Sequence, residues 1–391
     1  MGYIIGKEEL TAIQQVLNNG NFDRYIDGEN SITNRFEKSF SKKIGTSYSL
    51  AVSSGTAALI CGLAGMKIGP GDEVIIPSYT YIATALAVLA VGATPVIAEI
   101  DESLTIDPEN IISKITPATK AIIPVHMRGL PCNMAAIMNI AQYRNILVLE
   151  DVAQACGGSY QGTRLGAFGD AGMFSFNHYK IITCGEGGAL VTNNLEIYQR
   201  ATIQHHGGCI YEIDTPEFQV QTFAGWNFRL SEIASAMLSA QLTRLDDILA
   251  ALRSEKKFIL EKMKLNFPTL MASPINDIRG DCGTNVFFLM ESADQAKEFI
   301  RKSRDVNMEI YLAHTKGHVY SEWEPILQRR GAHHPLRNAL QHNQNLYSSN
   351  MCPKSLDILG RTVGIATRVD RDQETLDNIT DDLIVAVKGV V

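Results

Sequence analysis

From residue 49 onward one alternation governs the chain. Near-continuous apolar runs of strand length are separated by stretches with helical spacing. The runs cover residues 49–52, 73–77, 94–99, 121–125, 146–150, 172–176 and 189–192. Strands that are apolar on both sides belong inside a sheet covered on both faces. Helices between them supply the right-handed crossovers of a largely parallel sheet. The pattern therefore predicts an α/β fold, and in such sheets ligands bind beyond the carboxyl ends of the strands.

The flanking segments read differently. Residues 7–18 place Leu10, Ile13, Val16 and Leu17 on one helical face, stopped by Asn18-Asn19-Gly20-Asn21. Residues 31–42 carry Ile32, Phe36 and Phe40 at i, i+4, i+8, a second amphipathic helix. After Leu230 one long helical region runs to about Phe267, with Pro268 and Pro274 as breakers. Strands are expected at 283–290 and 308–312, helices at 293–303 and 374–388, and residues 314–346 read as an irregular loop with short helices. The expected organisation is a large domain, 1–245, and a smaller C-terminal α+β domain, 246–391.

A chain of 391 residues, 45% of them hydrophobic, can bury a large core. Its net charge of -7 gives no reason to expect nucleic-acid binding. The seven cysteines (Cys61, Cys132, Cys156, Cys184, Cys209, Cys282 and Cys352) form no C-x-x-C pair, which favours reduced thiols in a cytoplasmic protein. Residues 1–9 lack the features of a signal peptide, and Gly6 stands where a myristoylation signal needs Ser or Thr. No apolar run free of charges and breakers reaches about 18 residues, so no membrane span is expected. His205-His206 and His333-His334 are the clustered histidines, and neither pair has cysteines or carboxylates at metal spacing, so no metal site is expected. The serine-hydrolase pattern G-x-S-x-G and the glycine fingerprints for nucleoside triphosphates and dinucleotides are missing from the sequence.

The residues that carry chemistry stand at the predicted strand ends, and each admits a plainer use. Lys180 sits between Tyr179 and Ile181-Ile182, ahead of Gly185, Gly187 and Gly188. Most lysines are solvated surface charges. One among aromatic and branched neighbours has a depressed pKa and a free amine, able to form a Schiff base with an aldehyde cofactor. The glycines let backbone come close to whatever the lysine holds, or make an ordinary hairpin. Ser53-Ser54-Gly55-Thr56-Ala57-Ala58 opens a helix, either as a phosphate cradle or as a simple Ser/Thr cap. In Pro77-Ser78-Tyr79-Thr80-Tyr81-Ile82-Ala83-Thr84 an aromatic can stack on a flat ring or merely pack. Asp151 ends a strongly apolar run; it can hold a protonated pyridine nitrogen or cap a helix, with Gln154 on the same side. Ser175, at another strand end, can reach a phosphate.

A phosphate cradle, a stacking aromatic, a pyridinium-pairing carboxylate and a Schiff-base lysine, in that order, describe pyridoxal 5'-phosphate (PLP). With Val52-Ser53-Ser54-Gly55-Thr56-Ala57-Ala58-Leu59, Glu150-Asp151-Val152-Ala153-Gln154-Ala155, Phe174-Ser175-Phe176 with Lys180, Gly185-Glu186-Gly187-Gly188 and Asn227-Phe228-Arg229, the chain resembles the DegT/DnrJ/EryC1/StrS sugar aminotransferases. The resemblance runs from about Ile5 to Met237 and more weakly to the end. It implies the aspartate-aminotransferase-like fold type I. It also implies that Lys180 holds the cofactor and shuttles a proton, that Asp151 pairs the pyridine nitrogen, that Gln154 contacts the ring hydroxyl, and that Tyr81 stacks on the ring. Ser54, Gly55, Thr56 and Ser175 would hold the phosphate. Asn227 matches a residue that a neighbouring subunit sends to that phosphate, which implies a homodimer with shared active sites. A hydroxyl-removing branch of the family has His at the lysine position; Lys180 implies transamination from L-glutamate to a keto or aldehydo sugar.

Two stretches depart from the family pattern. Where an aromatic usually follows a His-Leu pair, this chain has His126-Met127-Arg128-Gly129, with Arg128 either a surface charge or a bidentate carboxylate ligand. The 314–335 loop, with His314, Lys316, His318, Trp323 and His333-His334-Pro335, is similar to the branch that aminates carbon 8 of the acidic sugar Kdo, giving 8-amino-3,8-dideoxy-manno-octulosonate for lipopolysaccharide. Arg128, Glu186 and His318 are the expected substrate residues. The alternatives are an acceptor that is a nucleotide-linked keto-deoxysugar, and a non-catalytic PLP-fold sensor or regulator.

Overall fold

The computed structural model describes residues 5–24, 26, 28–208, 218–331, 340 and 347–391. Cys209 and His333-His334-Pro335 lie outside the described residues. Helices α1 (Lys7–Asn19) and α2 (Ile32–Ile44) precede the first strand. Strands β1 (Tyr48–Val52), β2 (Glu73–Pro77), β3 (Thr94–Ala98), β4 (Thr119–Ile122), β5 (Leu147–Asp151), β8 (Ala171–Ser175) and β9 (Gly188–Thr192) form a seven-stranded sheet in the order β1-β9-β8-β5-β4-β2-β3. A short hairpin, β6 (Ser159–Tyr160) with β7 (Thr163–Arg164), stands apart from it.

Five of the seven strands run parallel, β3 through β8 in spatial order, as the long apolar runs predict. Strand β9 is reversed, pairing antiparallel with β8 on one side and β1 on the other. That reversal positions the site. Gly188, the first residue of β9, lies opposite both Val52 and Ser175, the last residues of β1 and β8. A Cβ at Gly188 would run into the Ser54 carbonyl, so only glycine fits there. Strand β4 is shorter than the expected 121–125. Ile123 leaves the β4–β5 ladder to donate to the Ile75 carbonyl at 2.8 Å, and Val125 keeps only a single bridge to Asp151.

Alternate residues of each strand feed two cores. Leu50, Val52, Met173 and Leu190 pack with Ala57, Ala58 and Leu59 of helix α3 (Gly55–Gly65). Ala51, Phe174, Ala189 and Val191 pack with Phe36, Phe40 and Ile44 of α2. Phe40 meets Phe174 edge-on at 4.9 Å between ring centres and Phe176 at 5.5 Å. Such pairs add about 0.5–1.5 kcal/mol beyond burial itself.

The helical region after Leu230 divides into two helices, Glu232–Thr243 and Leu245–Asn266, rather than running unbroken. Arg244 leaves helical geometry between them and sends its guanidinium to Glu8 and Glu9 of α1, a tertiary contact with no local signal. The longer helix leads to a second sheet of order β10-β11-β13-β12, made of β10 (Met271–Ala272), β11 (Asn285–Leu289), β12 (Ile310–Leu312) and β13 (Thr362–Ala366). Strand β13 pairs with both β11 and β12 yet is invisible in the apolar pattern. It is short and broken by Gly364, over which the Tyr311 and Phe287 rings fold. Among the described residues no helix is long and apolar enough to cross a membrane, no cluster of side chains could hold a metal, and no disulfide forms.

Candidate active site

The carboxyl ends of β1, β5 and β8 converge where β9 begins. Asp151, at the end of β5, is buried, with both side-chain oxygens in use. Thr84 donates its hydroxyl to Oδ2 at 3.0 Å and the Ala153 N–H donates to Oδ1 at 3.1 Å. Burial raises the Asp151 pKa; these two hydrogen bonds and the charge of Lys180 work against that rise. Lys180 is half-buried in the turn after β8, its N–H donating to the Asn177 carbonyl at 3.0 Å. Burial pulls its amine below the ordinary lysine value; the Asp151 charge opposes this and the Arg128 charge adds to it. Among the described residues the Lys180 amine makes no ion pair. An amine in this state is partly neutral at a pH where a surface lysine is not.

Behind Asp151 lies a buried support. The Cys132 N–H donates to His126 Nδ1 at 3.1 Å, which leaves the proton on Nε2, 3.2 Å from Glu150 Oε2. Glu150 also accepts the N–H groups of Gly166, Phe168 and Gly169 at 2.7–2.9 Å. The His126 N–H donates to the Asp151 carbonyl at 3.0 Å, so the end of β5 is held from behind.

A floor forms where α3 begins, its first turn packed on the end of β8. Ser54 caps the helix, its Oγ accepting the Ala57 N–H at 3.1 Å, a cap worth about 1 kcal/mol. Gly55 opens the first turn with Thr56 beside it. A Cβ on Gly55 would come within 2.8 Å of Ser175 Cβ and 3.1 Å of Ser175 Oγ. Ser54, Gly55, Thr56 and Ser175 are therefore gathered at one helix N-terminus, which presents free N–H groups and the positive end of a dipole.

Arg128 is not a surface charge. It lies in the same cleft, its guanidinium 5.0 Å over the Tyr311 ring, and its field reaches Lys180 and His318. Gln154 reaches Arg128 directly, its Oε1 accepting the Arg128 N–H at 3.1 Å. His318 arrives on a loop that pairs with the 78–82 segment: Thr80 N–H donates to the His318 carbonyl at 2.9 Å and Tyr320 N–H to the Ser78 carbonyl at 2.9 Å. Burial, with Arg128 and Lys180 nearby, pushes His318 down to about 4. The Tyr81 ring stands 5.5 Å from the His318 ring at a 50° tilt and is 52% exposed.

Two expected residues stand at the rim. Glu186 is exposed and accepts from Asn177 Nδ2 at 2.8 Å, making no contact with Arg128 or His318. Asn227 is exposed beside Trp226, with its Oδ1 accepting the Arg229 N–H at 3.3 Å; its segment meets the end of β1, where the Ser53 N–H donates to the Phe228 carbonyl at 2.7 Å and Arg229 bridges Val52. Thr84, Tyr79, Thr284 and Tyr311 carry no role in the sequence reading. Tyr311 lies on β12 and Thr284 just before β11, and no local spacing announces them.

Comparison with known proteins gives this geometry its context. A stretch of 217 residues, 55% of this chain and 57% of the relative, is 42% identical to a GDP-perosamine synthase of Caulobacter vibrioides. Another of 248 residues, 63% of this chain and 66% of the relative, is 38% identical to a GDP-perosamine synthase of Escherichia coli. In both, the matched stretch spans less than two thirds of the relative. The solved structure of 3-amino-5-hydroxybenzoic acid synthase superposes with a TM-score of 0.82 at 26% identity, covering 99% of this chain and 98% of that one. The DegT/DnrJ/EryC1/StrS aminotransferase model matches residues 3–383, so the chain belongs to that family of PLP-dependent aminotransferases.

Proposed function

We propose that this protein transfers an amino group from L-glutamate to a nucleotide-linked keto sugar, using PLP bound at Lys180. The observation that carries the reading is the Lys180 amine, depressed by burial and set in the field of Asp151, in the turn after the strand whose last residue, Ser175, packs on the α3 N-terminus. The donor set fits the group: Gly55 packs so closely on Ser175 that the Ser175 hydroxyl stands at the α3 N-terminus beside Ser54 and Thr56. Ser54, Gly55, Thr56 and Ser175 would hold the phosphate at the α3 N-terminus. Asp151 would keep a proton on the ring nitrogen, Gln154 would meet the ring hydroxyl, and Tyr81 would cover one face. When bound, the cofactor supplies an electron sink for the carbon that loses a proton. The Lys180 amine, released when the donor's amine takes its place, would accept that proton from the donor carbon and return it on the other side of the exchange.

The relatives weigh on the acceptor. Both GDP-perosamine synthases are named for a GDP-linked sugar, and this favours the nucleotide-linked acceptor over the free acidic octulosonate that the 314–335 loop suggests. The exposed Asn227, next to a Trp226 that is 65% exposed, supports a homodimer in which each subunit completes the other's phosphate site. Glutamate should release 2-oxoglutarate when a GDP-linked keto sugar is present. No release with any nucleotide-linked or free keto sugar would leave the non-catalytic sensor as the better reading.

A further inference from the structure

Arg128 adopts a left-handed backbone, φ 54°, which L side chains avoid unless their surroundings impose it. The surroundings here are specific. Its N–H donates to Gln154 Oε1, its carbonyl accepts the Thr284 hydroxyl at 2.5 Å, and the carbonyl of Gly129 accepts the Cys282 N–H at 3.0 Å. Asn285 Nδ2 donates to Thr284 Oγ1 at 3.0 Å, and Asn285 Oδ1 accepts the Tyr311 hydroxyl at 2.5 Å. The Tyr311 ring in turn lies beneath the guanidinium. One network from the second sheet thus sets both the backbone of Arg128 and the aromatic face under its charge.

The charge so positioned feels Glu309 through its field but touches no carboxylate among the described residues. Among the described residues Arg128 makes no ion pair, and its Nε is buried without a hydrogen-bond partner. Tyr79 Oη and His318 Nδ1, in the same cleft, are also buried and have no partner in hydrogen-bond geometry, though Tyr79 lies close enough to Arg128, and His318 to the Lys316 backbone, to interact. Buried polar atoms almost always have partners, and an unpaired buried charge is the most costly exception. A planar, preorganised fork of donors over an aromatic ring is complementary to a carboxylate brought by a ligand.

The phosphate floor at α3 is a separate feature, so it does not account for this charge. The keto end of a nucleotide-linked sugar is neutral, and its charge lies on the diphosphate, away from the carbon that reacts beside Lys180. An amino-acid donor brings carboxylates to the carbon that reacts beside Lys180. We propose that Arg128 is the receptor for a carboxylate of the amino donor. This inference rests on the aminotransferase reading.

The test is calorimetric binding of glutarate, a dicarboxylate with no amine, to PLP-loaded protein. Arg128→Gln should weaken binding about 10- to 100-fold, the range for a lost charge-assisted hydrogen bond. Arg128→Lys should weaken it less, keeping the charge but not the fork. Glutaramide, the neutral counterpart, should not distinguish the variants. If Arg128→Gln does not fold, Arg128→Lys and Tyr311→Leu carry the same comparison. Equal glutarate affinity in wild type and variant, with cofactor absorbance intact in both, overturns the proposal. Retained glutarate binding with lost binding of an acidic keto sugar also overturns it, assigning Arg128 to the acceptor. A wild type that never releases 2-oxoglutarate from glutamate defeats the aminotransferase reading instead, and leaves the glutarate result to stand alone.

Discussion

The two sides of the cleft follow opposite rules. Around the α3 floor and Asp151 these side-chain oxygens already have donors: Ser54 Oγ takes the Ala57 N–H, Ser175 Oγ accepts the Asn177 N–H at 3.4 Å, and Asp151 takes Thr84 and Ala153. Around Arg128 the chain leaves groups open: Arg128 Nε, Tyr79 Oη and His318 Nδ1 are buried without partners in hydrogen-bond geometry. A side that holds one resident group can be rigid before that group arrives. A side that admits ligands in turn needs polar atoms still unpaired, and it accepts the cost of burying them.

The largest expected effect breaks the first side altogether. Lys180→Ala should lower 2-oxoglutarate release by about 1000-fold or more and remove the visible absorbance of lysine-bound PLP. Release near the wild-type rate would end the assignment of Lys180. Asp151→Asn keeps the shape and removes the charge; turnover should fall about 100-fold, the scale of a lost preorganised electrostatic contact. Steady-state rates at saturating glutamate measure it. Gly55→Ala places a methyl 2.8 Å from Ser175 Cβ and should cut PLP retention about tenfold, read by cofactor content after dialysis, while circular dichroism stays unchanged.

The smallest effect sharpens the second side. His318 is pushed down to about 4 from an ordinary 6.5. As pH falls from 6.5 toward 4, the unfolded chain binds a proton there that the folded chain refuses, so folding stability declines across that window. His318→Gln should recover on the order of 1 kcal/mol of that decline, allowing for the partial exposure of the ring. Urea melts at pH 7 and pH 4.5 compare the two proteins. An identical pH dependence would mean that His318 titrates as if in solvent.

What can be read along the chain follows the range of each interaction. The five parallel strands appear as apolar runs because each is buried by its own side chains on both faces. Ser54, Gly55, Asp151, Ser175 and Lys180 are legible for a related reason. Each stands at a strand end or helix start, where a few neighbouring residues decide its backbone. The break at Arg244 is not legible, because its cause is Glu8 and Glu9 of a distant helix. Neither is β13, whose Gly364 makes sense only under the rings of Tyr311 and Phe287.

Arg128 marks the division most plainly. By itself the sequence determined an α/β sheet with a lysine, a carboxylate and a helix N-terminus at its carboxyl edge, because those signals are local and periodic. It left Arg128 open between a surface charge, the commoner case, and a ligand for an anion. Only the tertiary structure decided, by bringing Thr284, just before β11, with Asn285 and Tyr311 of the second sheet to hold that residue in place. A hydrogen bond across such a separation leaves no trace in spacing, since either partner alone is an ordinary polar residue.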